Sequence, residues 1–243
     1  MRKFFPAVLV GLALLAAGGQ AAAQITDRDD RRIITTEGFL TAHPDLRYRL
    51  EGLDAYEKGK HAEALGLFTR AAKYADKPSQ SMLGEMHWKG LGVPVDRAMA
   101  YVWMDLAAER GYPLMVAKRE SYWRDLDEAE RARALSHGDK MYGEYGDDVA
   151  KARMRLMLRR ERLWGTGSRV GSTGNLRIMI PTASGVRYVS GDDYYDRKFW
   201  QPDLYFQWQD QDWKRTGKAT VEVGEVQTRL TEDEAGAGSD DEP

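Results

Sequence analysis

Four histidines, His43, His61, His87 and His137, are the side chains of this 243-residue chain best suited to hold a metal or move a proton near neutral pH. None lies in a His-Glu-x-x-His run, and no two stand at the i, i+4 spacing that sets two imidazoles on one helix face. A packing role for them is therefore expected, with no metal and no other cofactor. Cysteine is absent, which removes disulfides, thiolate zinc sites, iron–sulfur clusters and cysteine nucleophiles together. Gly165, Gly167 and Gly171 invite a phosphate-binding reading but miss G-x-G-x-x-G by one residue. Gly-Lys-Ser/Thr, Gly-x-Ser-x-Gly and Ser-x-x-Lys do not occur either. No catalytic residue can be named, and the expectation is that the protein is not an enzyme.

Two further stretches carry binding chemistry. Between Tyr188 and Trp213 nine aromatic residues alternate with Asp and Gln. Exposed rings beside amides and acids suit a sugar, and Tyr194, Tyr195, Trp200, Trp208 and Trp213 are the candidates for glycan binding. Against this, a small module needs large rings to build a core, so packing is the stronger expectation. Lys151 to Arg162 holds six basic residues and one acid. As a helix it sets Met154, Met157, Leu158 and Leu163 on one stripe with arginines facing water, either a solvated capping helix or one touching an anionic membrane surface. The overall balance, 36 Lys+Arg against 38 Asp+Glu, lacks the basic excess of a nucleic-acid binder.

The elements that must position these groups fall into distinct textures. Arg2 and Lys3, an apolar run from Phe4 to Ala17, and Ala21-Ala22-Ala23 form a signal-peptide pattern, with cleavage expected after Ala23. Residues 1–23 are then the signal peptide, the mature chain carries a net charge of −4 (34 minus 38), and the address is the periplasm. No transmembrane segment is expected after cleavage, and no cysteine offers a lipoprotein anchor. Residues 24–44 read as an N-terminal arm, 45–164 as a helical domain, and 165–175 as a glycine-rich joint. Residues 176–230 follow as an aromatic-rich strand-containing module, and 231–243 as a disordered acidic tail. The helical region repeats itself. Aligning Ala64 with Ala100 also aligns Phe68 with Met104 and Ala71-Ala72 with Ala107-Ala108, and upstream Gly52 pairs with Gly84 once four residues are inserted in the second loop.

Leu83-Gly84-Glu85-Met86-His87-Trp88-Lys89-Gly90-Leu91-Gly92-Val93-Pro94-Val95-Asp96 resembles the first half of a Sel1-like repeat, and Ala100-x-x-Trp103-x-x-x-Ala107-Ala108-Glu109-Arg110-Gly111 its second half. The preceding unit, with Gly52, Tyr56, Gly59, Ala64 and Ala71, resembles the related tetratricopeptide pattern. Tyr112 to Tyr122 resembles the first helix of an incomplete third unit, and Asp127-x-x-Glu130 supplies a capping box for the next helix. The resemblance implies a mainly α fold, a short α-solenoid of helix pairs, to which the composition adds a small C-terminal strand-containing module. It also implies binding of an envelope protein or peptide rather than catalysis. In such solenoids the first helix of each pair lines the binding face, which makes Glu57, Lys58, Glu85 and Lys89 the candidate protein-binding residues.

Overall fold

A computed structural model of the chain describes residues 28–166, 176–182 and 185–216. Residues 1–27, which include the expected signal peptide, residues 167–175 of the expected joint, residues 183–184 and residues 217–243, which include the expected acidic tail, lie outside the described residues. Among the described residues nine helices come first: α1 (Arg28–Ile34), α2 (Glu37–Ala42), α3 (Pro44–Glu57), α4 (His61–Ala72), α5 (Lys77–Lys89), α6 (Arg97–Ala108), α7 (Pro113–Asp125), α8 (Glu128–Tyr145) and α9 (Asp147–Thr166). A two-stranded antiparallel hairpin, β1 (Arg177–Thr182) and β2 (Gly185–Ser190), precedes α10 (Gly191–Tyr194), α11 (Arg197–Trp200) and α12 (Pro202–Thr216). The fold is mainly α, built from consecutive helix pairs with a small C-terminal strand pair.

Local chemistry sets the helix boundaries. Asp76 and Asp96 accept from the backbone N–H groups of Ser79 and Met99, and Pro44, Pro78 and Pro113 sit in first turns, where no N–H partner is lost. The capping box is complete. Asp127 Oδ1 accepts from Glu130 N at 2.7 Å, and Asp127 N donates to Glu130 Oε2 at 3.0 Å. The repeat is a repeat of contacts as well. A Cβ on Gly52 would fall 2.7 Å from the Phe68 ring, and one on Gly84 would fall 3.2 Å from Met104 Cε and 3.0 Å from the Ala100 carbonyl oxygen. Both pairs, α3 with α4 and α5 with α6, thus close at glycine against the side chain aligned with it. Gly92 adopts φ +72° and lies directly against the His61 backbone, so the 90–96 loop rests on the start of α4. Leu53, Phe68, Leu83, Met86, Trp103 and Leu106 form the core between the two pairs, with Tyr145 of α8 edge-on against Trp103. The helices α7 and α8 both pack on α6 rather than closing on each other as a third pair.

The N-terminal end is built differently from the expectation. Residues 28–42 are two helices rather than an arm, and they bury Ile33, Ile34, Phe39 and Ala42. The same core takes Ala150, Met154 and Leu158 from α9 and Tyr194, Phe199, Trp200, Tyr205 and Phe206 from the aromatic segment. That segment is strand only over the hairpin and helical from 191 to 216. Its helical period escaped notice because the inward stripe of α12 mixes rings with amides and acids: Tyr205, Gln209 and Trp213 recur every fourth residue. Gln209 and the Tyr205 hydroxyl donate to the buried Asp45 at 2.8 and 2.7 Å. Packing context, not ring content, decides between strand and helix here. The stripe expected on α9 is also shifted. Ala150, Met154 and Leu158 are buried, whereas Leu163 is 65% exposed.

Charge pairs clamp α9 and α12 to the repeats. Lys77 Nζ, fully buried, donates to the Leu106 carbonyl at 2.8 Å and to Glu109 at 2.7 Å, and lies 3.1 Å from Asp147. Arg110 bonds Asp147 twice, at 2.8 and 3.0 Å, and reaches Asp210 of α12 at 3.3 Å. Burial pushes the Asp147 carboxyl up, but Arg110, Lys77 and Lys151 outweigh it and hold the group well below the usual carboxylate range. Burial pushes Lys77 down, against the pull of Asp147 and Glu109.

Candidate functional site

The helices α3, α5 and α7 carry a strip of aromatic and charged side chains, with Tyr56 and Trp88 half-buried, Lys89 exposed, and Tyr122 and Glu85 buried. Trp88 of α5 stacks on Tyr122 of α7, with ring centroids 4.0 Å apart and planes 7° from parallel, and Arg97 covers the Trp88 ring at 5.1 Å. Glu85, one turn before Lys89, sits beneath this stack. Its carboxylate accepts from the Tyr122 hydroxyl at 2.8 Å, pairs with Lys89 at 2.6 Å, and lies 3.5 Å from Lys118 of α7. Burial raises the Glu85 pKa, but Lys89, Tyr122 and Lys118 together hold it below the ordinary value. The Tyr122 hydroxyl, buried beside that anion, is pushed up strongly. Tyr56 of α3 extends the strip, packing edge-on against His61 at 5.1 Å.

The named binding candidates therefore separate. Glu57 and Lys58 are exposed at the end of α3, with Lys58 paired to Asp54 at 2.7 Å. Lys89 is one-third exposed, available to a partner while it pairs with Glu85. Glu85 is a correction: at 6% exposure it supports the strip from below and presents nothing to a partner. Its charge suggested a surface position, but Lys89 of its own helix and Lys118 and the Tyr122 hydroxyl of α7 make its burial tolerable. Trp88, Lys118 and Tyr122 were not singled out in the sequence. A signal exists for Trp88, which stands four residues after Gly84 as Tyr56 stands four after Gly52. Tyr122 and Lys118 have none, because the third unit lacks the glycine that would set its register.

The motif residues take the structural positions expected of them. Ala64, Ala71, Ala100, Ala107 and Ala108 are buried, as is Trp103, and Asp96 caps α6, while Gly59, Gly90 and Gly111 turn the chain at positive φ. The rings nominated for glycan binding do not form a surface. Tyr194 and Trp200 are buried in the N-terminal core, Tyr195 and Trp208 are packed against it, and Trp213 lies against Tyr112. Two of their polar neighbours, Gln209 and Asp210, turn inward as well, to Asp45 and Arg110. His43 is likewise internal, with Nδ1 2.8 Å from the Phe39 carbonyl and Nε2 2.9 Å from that of Phe199. A cavity of about 410 Å³ opens between α1, β2 and α11, where Asp30 and Lys198 are paired at 2.7 Å.

Residues 77–112, which span α5, its glycine loop and α6, match the family model of the Sel1 repeat. Residues 77–112 of the chain are thus similar to a Sel1 repeat. The matched residues hold Trp88, Lys89 and Glu85, so the central part of the strip belongs to the Sel1 repeat, while Tyr56 and Tyr122 belong to the units on either side. Among solved structures the chain is similar to c5321, described as a protective antigen present in uropathogenic Escherichia coli strains and displaying an SLR fold. The identity is 21% and the TM-score 0.42, over 60% of this chain and 33% of that one. The chain thus spans about a third of the length of that protein. No curated protein matches. A Sel1-like repeat fold is consistent with a protein–protein interaction module, and no described helix is long and apolar enough to cross a membrane.

Proposed function

We propose that this protein is a non-enzymatic adaptor of the cell envelope, which holds a segment of a partner protein along the first helices of its repeats. The observation that carries this reading is the Trp88–Tyr122 stack with the buried Glu85 fixed beneath it. The stack holds the half-buried Trp88 ring against Tyr122, which is itself buried, and a ring held in advance loses little freedom on binding. Lys89 and Lys118 flank the rings, and Glu57 and Lys58 stand at the α3 end, so the strip offers apolar contact with charges of both signs at its margins. One extended or helical segment fits a strip of three helices better than a broad globular surface does. The envelope address is supported by the signal-peptide pattern of Arg2 to Ala23.

The test uses the full chain with a photo-cross-linking residue placed singly at Glu57, Lys58 or Lys89, and at Glu63 of α4 and Arg133 of α8 as controls. Cross-links to one common partner from the first three positions, and none from the controls, are expected. Equal labelling from all five positions would defeat the assignment of this face. Sequencing of the native protein is expected to begin at Gln24, and recovery of the uncleaved chain would defeat the exported address.

A further inference from the structure

Two buried acids meet where α3, the start of α5 and α12 come together. Asp45, Asp76 and Tyr205 are fully buried there, and Arg49 is nearly so. The two carboxyls share one guanidinium, which donates to Asp76 at 2.9 Å. They differ in the chemistry of their partners. Asp76 accepts from Arg49 and, at 3.0 Å, from the backbone N–H of Ser79, groups that can only donate, so Asp76 is held as the anion. Asp45 Oδ2 meets the Tyr205 hydroxyl and the Gln209 amide, 2.7 and 2.8 Å away. A hydroxyl accepts as readily as it donates, and an amide turned over presents its oxygen. One of the two can therefore take a hydrogen bond from a protonated Oδ2 while the other donates to it. Asp45 Oδ1 has no hydrogen-bond partner among the described residues, which a neutral carboxyl tolerates better than an anion does.

We propose that Asp45 holds a proton in the folded chain and that this proton works as a pH-sensitive latch, closing α12 onto α3. Arg49 is bonded to Asp76, so with two acids and one guanidinium the pocket is neutral only when one acid keeps its proton. The other titratable group against Tyr205 is His43, its ring 5.1 Å away and its nitrogens turned to the Phe39 and Phe199 carbonyls. The neighbouring charges Lys77, Arg110, Asp147 and Asp210 bond among themselves. Burial raises the Asp45 pKa, against the pull of Tyr205, Arg49 and Gln209 and its place in the first turn of α3. Loss of the proton leaves a buried anion that both α12 partners must then face as donors. A raised folded pKa gives stability that is present in acid and is lost as the pH rises through that pKa, so alkalinity loosens the latch.

Carbon-13 NMR of the full chain, with its aspartate carboxyls labelled and assigned through bonds, tests this without any substitution. At about pH 5, a unit above the ordinary aspartate pKa, Asp45 should give the signal of a protonated acid and Asp76 that of an anion. An ionised Asp45 at that pH would overturn the proposal. Tyr205→Phe should raise the titration midpoint of Asp45 further, a change that a merely structural hydroxyl would not make. Urea titrations of the parent and Asp45→Asn supply the second reading. The parent's folding constant should fall relative to the variant's by up to about tenfold per pH unit above about pH 4, then level off once Asp45 is ionised. A ratio that stays constant or rises with pH would overturn the latch. Asp76→Asn should lower stability at every pH, because Arg49 loses the anion it bonds. If Asp76→Asn removes the pH dependence and Asp45→Asn does not, the proton belongs to Asp76 and the assignment fails. The trend should persist in a His43→Gln background, and its disappearance there would assign it to His43 instead.

Discussion

His43 touches two carbonyl oxygens from segments far apart in the chain, and burial pushes its pKa down from 6.5 to about 4 against the pull of those carbonyls. The ring therefore stays neutral in the fold while the unfolded chain takes up a proton below pH 6.5. Its contribution is present at neutral pH and is lost as the pH falls from about 7 to 4, by about 3 kcal/mol over that window. The buried Asp45 and Asp76 are raised by burial and act in the opposite direction. The quantity to read is thus the difference between the parent and His43→Gln in urea titrations at pH 7.5 and 4.5, and the variant should show the shallower loss. Gly52→Ala places a methyl against the Phe68 ring and should cost about 1–3 kcal/mol, read as a lowered thermal midpoint. Gly52 and Gly84 were legible in the sequence because a glycine that repeats with its packing partner leaves a spacing. Glu85 was not, because nothing in a residue's type shows that Tyr122 and Lys118 will be brought to it.

Among the elements, α6 carries the most packing per residue, with Ala100, Trp103, Met104, Leu106, Ala107 and Ala108 all buried. Trp103→Ala opens a cavity between the two helix pairs and beneath Tyr145, and should cost about 3–5 kcal/mol by thermal or denaturant melting. A smaller loss would mean that α8 closes into the space. The pairs α3–α4 and α5–α6 could be read in advance because alanine and glycine keep the same registry in both. The helix α12 could not, since its buried stripe contains Gln209 and Asp210, residues that satisfy Asp45 and Arg110 and so disguise an inward face as a wet one. The exposure of Leu156 and Leu163 on α9 was hidden for the converse reason: a sequence shows that both are apolar, but only the position of α12 and α2 shows which side is already covered.

At the scale of the whole molecule, the expected division into a solenoid and a separate aromatic module gives way to shared packing. Phe199, Trp200, Tyr205 and Phe206 complete the core that α1 and α2 begin, and Asp210 joins the Arg110–Asp147 pair. A chain ending at Thr166 would expose Phe39, Leu46, Met154 and Leu158 together. It should aggregate or melt without cooperativity, and adding a 176–216 fragment in trans should restore a cooperative melt, both measured by circular dichroism. A sharp, unaided melt of the truncated chain would show that the repeats stand alone.

The bond between His43 and the Phe199 carbonyl spans 156 residues, and the one between Tyr205 and Asp45 spans 160. A ribosome therefore delivers the first helices long before the rings that cover them. During that interval α1 and α2 have Leu46, Ala75 and later α9 to pack on but lack the rings that complete their core, while α3 to α6 can already find their partners next door. Loop closure over such a distance is slow compared with pairing between neighbours, so the molecule should assemble from its middle outwards and finish at its start. The earliest residues made are among the last to become native.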